Sequence, residues 1–159
     1  MVKTEYGEFK KIFRYVHPSP INMQMESDMS EKLVWDSKMS VGNKDIDDQH
    51  KHILLLFQQA VKSLDNPNSF RHEFHIFINE IVDLVRKHFE EEEIILEKNH
   101  SPTLYDHKEE HEKFRERLTK ILYDAMQRKL DKDGLESLLS DWLNHIIQAD
   151  IPNKKYMQD

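Results

Sequence analysis

Between His88 and His111 the chain sets two pairs of potential metal ligands on either side of a helix break. His88 and Glu92 are four residues apart, as are His107 and His111, so at 3.6 residues per turn each pair stacks on one helix face. Ser101-Pro102 lies between the pairs. A helix running through proline loses a hydrogen bond and meets a clash, whereas Ser at the N-cap with Pro at the first helical position suits a new start. The segment therefore predicts two antiparallel helices that face each other across three imidazoles and a carboxylate.

The rest of the chain repeats the pattern. Residues 33 to 46, with Trp35, Val41 and Gly42, show no helical period and read as an irregular arm. Asp45 or Asp47 is expected to cap a first helix, on which Ile53, Leu54, Phe57, Val61 and Leu64 fall within about 60° of His50. Asn66-Pro67-Asn68-Ser69 is a turn cluster. A second helix from about Phe70 to Lys98 carries the stripe Phe74, Phe77, Ile81, Leu84, His88, Glu92 and Ile95. A third, from Pro102 to about Arg128, aligns Leu104, His107, His111, Phe114, Leu118, Leu122 and Ala125. Asp133 with Glu136 resembles a capping box and opens a fourth helix to about Gln148. Leu135, Leu138 and Trp142 lie on its His145 side, and Pro152 ends it. Four helices with short connections predict an all-α, antiparallel up-down-up-down four-helix bundle.

Composition narrows the chemistry. A net charge of −7 argues against a nucleic-acid partner, because phosphate binding is driven by Lys and Arg. Cysteine is absent, which excludes disulfides, thiolate zinc and iron–sulfur clusters; any metal must be held by nitrogen and oxygen. No apolar run approaches the roughly 20 residues of a membrane span, and Met1 to Lys11 lacks a signal core. The expectation is one domain in a soluble cytoplasmic protein, a monomer without stable membrane insertion. Residues 1–32 read as an N-terminal extension: a docking helix, a surface-seeking amphipath, a mobile tail, or sequence upstream of a start at Met29. Residues 33–152 form the bundle and 153–159 a C-terminal tail.

A single buried histidine is more often a hydrogen-bonded core residue than a ligand, and one His-x-x-x-Glu is a weak signal. Here all four helices place histidine on the apolar side of their own wheels, and buried unpaired imidazoles are costly to keep five times over. A shared metal removes that cost. The other histidines serve as a control: His52 lies about 160° from His50, and His72 and His75 at least about 140° from His88, so these belong at the surface. His17 falls in the extension and His100 in the turn. Glu90, Glu91 and Glu93 flank Glu92 and read as a solvated face. His145 and Asp150 are about 140° out of register on an ideal helix; both reach one centre only if the helix loosens or ends there.

These residues resemble the hemerythrins, most closely the single-domain bacterial ones, over residues 33 to 151. The match comprises Trp35, Val41-Gly42, Asp47-Asp48-Gln49-His50, His88-Phe89 with Glu92-Glu93, His107 with Glu110-His111 and Phe114, and His145-Ile146 with Asp150. The resemblance implies two iron ions per chain, Fe2+ or Fe3+, joined by an oxide or hydroxide. His107, His111 and His145 would hold one iron, His50 and His88 the other, and Glu92 and Asp150 would bridge them. One position stays open on the iron with two histidines, and in the family dioxygen binds there reversibly, for storage, transport, delivery or sensing, without catalysis. Within the resemblance, a response to nitric oxide or to iron and redox state is the alternative. Outside it stand the ferritin-like oxidases, which use Glu-x-x-His twice where this chain offers only Glu97 to His100, and a metal-stabilised interaction bundle holding zinc, whose four-coordinate site is too small for seven inward ligands.

One stretch departs from the family. The fourth helix usually reads Trp-Leu-x-x-His-Ile, but Trp142-Leu143-Asn144-His145 is one residue short. Either Trp142 takes the leucine slot and lays a larger ring, with an indole N–H, over the oxygen pocket, or a helical bulge restores the register and puts Leu143 there.

Overall fold

In a computed structural model, the structure describes residues 34–65, 70–129 and 131–158, leaving out the side chains of 70–73. The readings of residues 1–32, including His17, and of the 66–69 turn lie outside the described residues.

The arm is tied to the first helix before that helix begins. Asp47 accepts hydrogen bonds from the Val41 N–H at 2.8 Å and the Ser40 hydroxyl at 2.5 Å, and Gly42 turns the chain at φ +78°, where a Cβ is strained. Helix α1 (Lys44–Ser63) is therefore capped by Asn43, whose side chain accepts from the N–H groups of Asp45 and Ile46. Neither Asp45 nor Asp47 is the cap: both sit in the first turn, where their charge complements the helix dipole, and Asp47 is engaged by the arm.

Helix α2 (Phe70–Lys98) ends on His100 in the left-handed region, φ 55°. The Ser101 N–H bonds back to the Leu96 carbonyl at 2.9 Å, a Schellman-type stop. The buried face of α2 is Phe74, Ile78, Ile81, Val85, His88, Phe89, Glu92 and Leu96. Phe77, Leu84 and Ile95, expected on it, are half-buried, so the face is turned by about 50° toward Phe89. The reason is tertiary: α2 packs against both α1 and α3, and the wheel shows only a mean direction.

Helix α3 (Leu104–Met126) begins two residues after Pro102, with Thr103 at the N-cap position and no side-chain cap bond. Ser101 is not the cap, because its hydroxyl donates to Asn153 Oδ1 at 2.9 Å. Helix α4 (Lys132–His145) is capped by Asp131, which accepts from the Gly134 N–H; Asp133 lies two residues too late for that role, inside the first turn. Helix α1 packs on α2, α2 on α3, α3 on α4, and α4 closes back on α1, giving the antiparallel four-helix bundle.

Past His145 the backbone widens into a π-helical segment, Ile146–Asp150, then a 3-10 turn, Ile151–Asn153, and a one-turn helix α5 (Lys154–Met157). Residues assigned to a tail thus dock: Met157 is fully buried with Val41, Ile46 and Leu96. Its carbonyl accepts from Asn43 Nδ2 at 2.9 Å, and the Tyr156 carbonyl from Asn99 Nδ2 at 2.8 Å. No helix among the described residues is long and apolar enough to cross a membrane.

Candidate metal centre

Each of the four bundle helices, α1 to α4, delivers at least one polar side chain to the same point. Helix α1 supplies His50, α2 His88 and Glu92, α3 His107 and His111, and α4 His145, with Asp150 at the end of the π segment. His50, His88, Glu92, His111 and Asp150 are fully buried, and His107 is 2 % exposed; the His145 side chain is 8 % exposed. The widened turn does the work expected of a loosened helix, since His145 Nε2 and Asp150 Oδ1 meet at 3.0 Å.

The contacts divide into two groups sharing the carboxylates. In one, Glu92 Oε2 lies 3.2 Å from both His107 Nε2 and His111 Nε2, Asp150 Oδ1 is 3.2 Å from His107 Nε2, and His111 and His145 oppose their Nε2 atoms at 3.0 Å. In the other, His50 Nε2 is 3.1 Å from Asp150 Oδ2, and His88 Nε2 is 3.6 Å from Glu92 Oε2. Asp150 thus turns one oxygen to each group. His50 Nε2, His88 Nε2, Glu92 Oε1 and both Asp150 oxygens nonetheless lack a hydrogen bond of acceptable direction. Groups at contact distance that do not point at one another point at something between them.

The outer nitrogens fix the tautomers. His88 Nδ1 meets Gln49 Oε1 at 2.9 Å, His111 Nδ1 meets Glu93 Oε1 at 2.8 Å, and His145 Nδ1 meets Glu110 Oε2 at 3.1 Å. An amide or carboxylate oxygen can only accept, so each ring carries a proton on Nδ1, and in its neutral form, the form that binds metal, it turns the Nε2 lone pair inward. Gln49 in turn donates to Glu91 at 2.5 Å, and Arg115 holds Glu93 at 3.2 Å. Glu91 and Glu93 are therefore partly buried supports, not the solvated face expected of them. Their signal was present in the sequence: on paired antiparallel helices, the neighbour of one ligand faces the neighbour of another.

Electrostatics shows what these groups do without a metal. Burial drives His88 down to about 3, reinforced by His50 beside it. Burial also lowers His107 and His145, but Asp150 and Glu92 outweigh it and raise them to about 9 and about 10. Glu92 is pushed up by burial and by Asp150, yet hydrogen bonds from His107 and His111 bring it below its ordinary value. For Asp150, burial is overcome by the charge of His145 and by the close approach of the His107, His145 and His50 imidazoles, which hold it well below its ordinary value.

The residues fit a metal of the nitrogen- and oxygen-binding kind. With bonds of about 2.0–2.2 Å, neighbouring ligand atoms at right angles stand about 3 Å apart, the separation seen across the cluster. Two sets emerge with ligand atoms within 4.8 Å of one another, Glu92-His107-His111-His145 and His50-His88-Glu92-Asp150. The remaining histidines stay outside. His52 and His100 are exposed, His75 is half-buried beside Phe74 rather than at the surface, and the His72 side chain lies outside the described residues.

Helix α4 is regular up to His145, so Trp142 keeps its place three residues before the histidine, and the widening falls after it. Trp142 is fully buried, its ring centroid 5.7 Å from His50 and 5.2 Å from His88, in edge-on geometry. Leu143 is buried about 100° further round. Phe89 stacks on His111 at 3.7 Å.

The fold and site define a helical bundle that gathers histidines and carboxylates from all four helices into a metal-binding core. The family model of the hemerythrin HHE cation binding domain matches residues 41–150. The chain belongs to the hemerythrin family. It is 30% identical over 138 residues to a hemerythrin-like protein of Naegleria gruberi, covering 86% of this chain and 93% of that one. It is 30% identical over 115 residues to a bacteriohemerythrin of Stenotrophomonas maltophilia, covering 72% and 74%. The crystal structure of a wild-type hemerythrin superposes with a TM-score of 0.73 at 21% identity over 80% of this chain and 99% of that one, a likeness of fold.

Proposed function

We propose that the protein binds dioxygen reversibly at two iron ions, as a store, carrier or sensor of oxygen. The observation that carries this reading is the convergence of five imidazoles and two carboxylates into two sets that share Glu92, with Asp150 turning one oxygen toward each. His107, His111 and His145 would hold one iron and His50 and His88 the other. When bound, the iron pair supplies the electrons and the open coordination position that dioxygen needs.

The chain's own residues set the conditions. Acidic acceptors on His111 and His145 make these imidazoles stronger donors than His88, which has a neutral amide behind it. The half with two imidazoles keeps the spare position and faces the rings of Trp142 and Phe89, an apolar wall that excludes water and free protons, as reversible binding requires. The decisive experiment measures iron per chain together with absorption spectra under air, after removal of oxygen and after reduction. Two irons with oxygen-dependent bands that return on re-aeration support the function. One equivalent of zinc with no oxygen-dependent band overturns it.

A further inference from the structure

Seven buried side-chain atoms among the described residues have no hydrogen-bond partner, and six belong to His50, His88, Glu92 and Asp150. The seventh is Trp142 Nε1, a donor that cannot bind metal. A buried N–H left unpaired is expensive and calls for a partner.

The surroundings show which partner is missing. The rings recorded around the indole are His50, His88, Phe89 and Phe114. His88 spends Nδ1 on Gln49. Once His50 gives Nε2 to a metal, its neutral ring carries the proton on Nδ1 and is a donor too. The phenylalanines accept only through their faces. Glu92 and Asp150 also belong to this half, but their carboxylate oxygens are part of the metal-ligand set, so with metal bound the donors and ring surfaces that remain lack a small acceptor.

We propose that Trp142 is a specificity-determining residue whose indole N–H donates to a small anionic ligand held in the His50–His88 half of the centre. The inference rests on the proposed di-iron function, because the metal fixes the other end of the anion. It gives this half a preference for ligands that carry negative charge within reach of the indole, and the leucine usual at this position in the family cannot supply such a bond.

The test uses the iron-loaded, oxidised full chain and azide as the anion. Trp142→Phe keeps an aromatic ring and removes the donor. Azide affinity is expected to fall about ten- to a hundredfold, the range for a hydrogen bond to a charged group, with iron content unchanged. In the wild type, ultraviolet resonance Raman spectra should show the indole N–H band shifting when azide is added. Trp35→Phe, whose remaining tryptophan is Trp142, should retain the shift, and a merely space-filling indole would not produce it. Azide affinity within about twofold of wild type in an iron-loaded Trp142→Phe overturns the proposal alone. Should that variant fail to load iron, the wild-type spectrum decides, and an unshifted band overturns the proposal. A wild type that takes up no iron pair overturns the function, and this inference with it.

Discussion

His107 and His145 hold protons where a metal would sit, and that fixes how loading depends on pH. With values raised to about 9 and about 10, both are charged at neutral pH in the metal-free protein, and a metal must expel their protons. Metal uptake in weak buffer at pH 7.5 is therefore expected to release about two protons per chain from this pair, and affinity to rise with pH up to about 9. An indicator-dye titration checks both, and uptake without proton release would contradict the charged cluster. Stability of the metal-free protein follows the same groups. The raised pair contributes stability that is complete below about 6.5 and lost as pH climbs through 9 to 10. His88, held at about 3, has the opposite sign and costs stability below about 6.5. Glu92 and Asp150, both depressed, contribute above about 4 and are lost in acid. The melting temperature of metal-free protein should thus peak near about pH 6.5 and decline as pH rises toward 9 to 10. The supports behind the ligands matter too. Glu93→Gln removes the charged acceptor of His111, and metal affinity, read by chelator competition, should fall about 10- to 100-fold. His52→Ala, on the exposed side of α1, should leave it unchanged.

The four helices were readable because each has a strong apolar period, and the ligands because a histidine or carboxylate interrupts that period on its buried side. Caps were not, since Asn43, Asp131 and Ser101 each stand among several side chains able to cap, and tertiary partners decide which one does. The same holds for the rotation of α2. The spacing of His145 and Asp150 was legible as a conflict, and the wider turn of Ile146–Asp150 resolves it. Asn153 Nδ2 stabilises that turn by donating to the Ala149 carbonyl at 2.9 Å, while Ser101 and Thr103 hold Asn153 Oδ1 at 2.9 and 2.7 Å. A π segment behaves as a single inserted residue in an α-helix. Deleting exposed Gln148 would place the two ligand positions four residues apart, about 40° on a regular helix, so the variant should still load the proposed iron pair. Inserting an alanine after Gln148 should swing Asp150 away and reduce iron to one per chain or less. Loss of iron in the deletion variant would mean that the π geometry itself, and not the direction it gives Asp150, is required.

At the scale of the whole molecule the centre opposes folding until it is filled. A core at the meeting point of four helices would be most stable if apolar, yet here it contains orphaned imidazole and carboxylate atoms, and replacing buried polar clusters by hydrocarbon is often neutral or stabilising. Metal reverses the sign, because it binds the folded arrangement and links all four helices. A ligand at a thousand times its dissociation constant adds about 4 kcal/mol, and for a chain of this size each kcal/mol moves the melting temperature by about 2–4 °C. Iron-loaded protein should therefore melt roughly 10 °C above metal-free protein. His50→Leu separates the two contributions. It removes a ring with both nitrogens unpaired and fills much of its volume with hydrocarbon, so the metal-free variant should melt at or above the metal-free wild type. It also strips one of the two imidazoles from the His50-His88-Glu92-Asp150 set, so the iron-dependent rise should shrink markedly. Calorimetry of both proteins, with and without iron, measures the four values. A His50→Leu variant that melts well below metal-free wild type but keeps the full rise on loading would place His50 in the scaffold rather than at the metal.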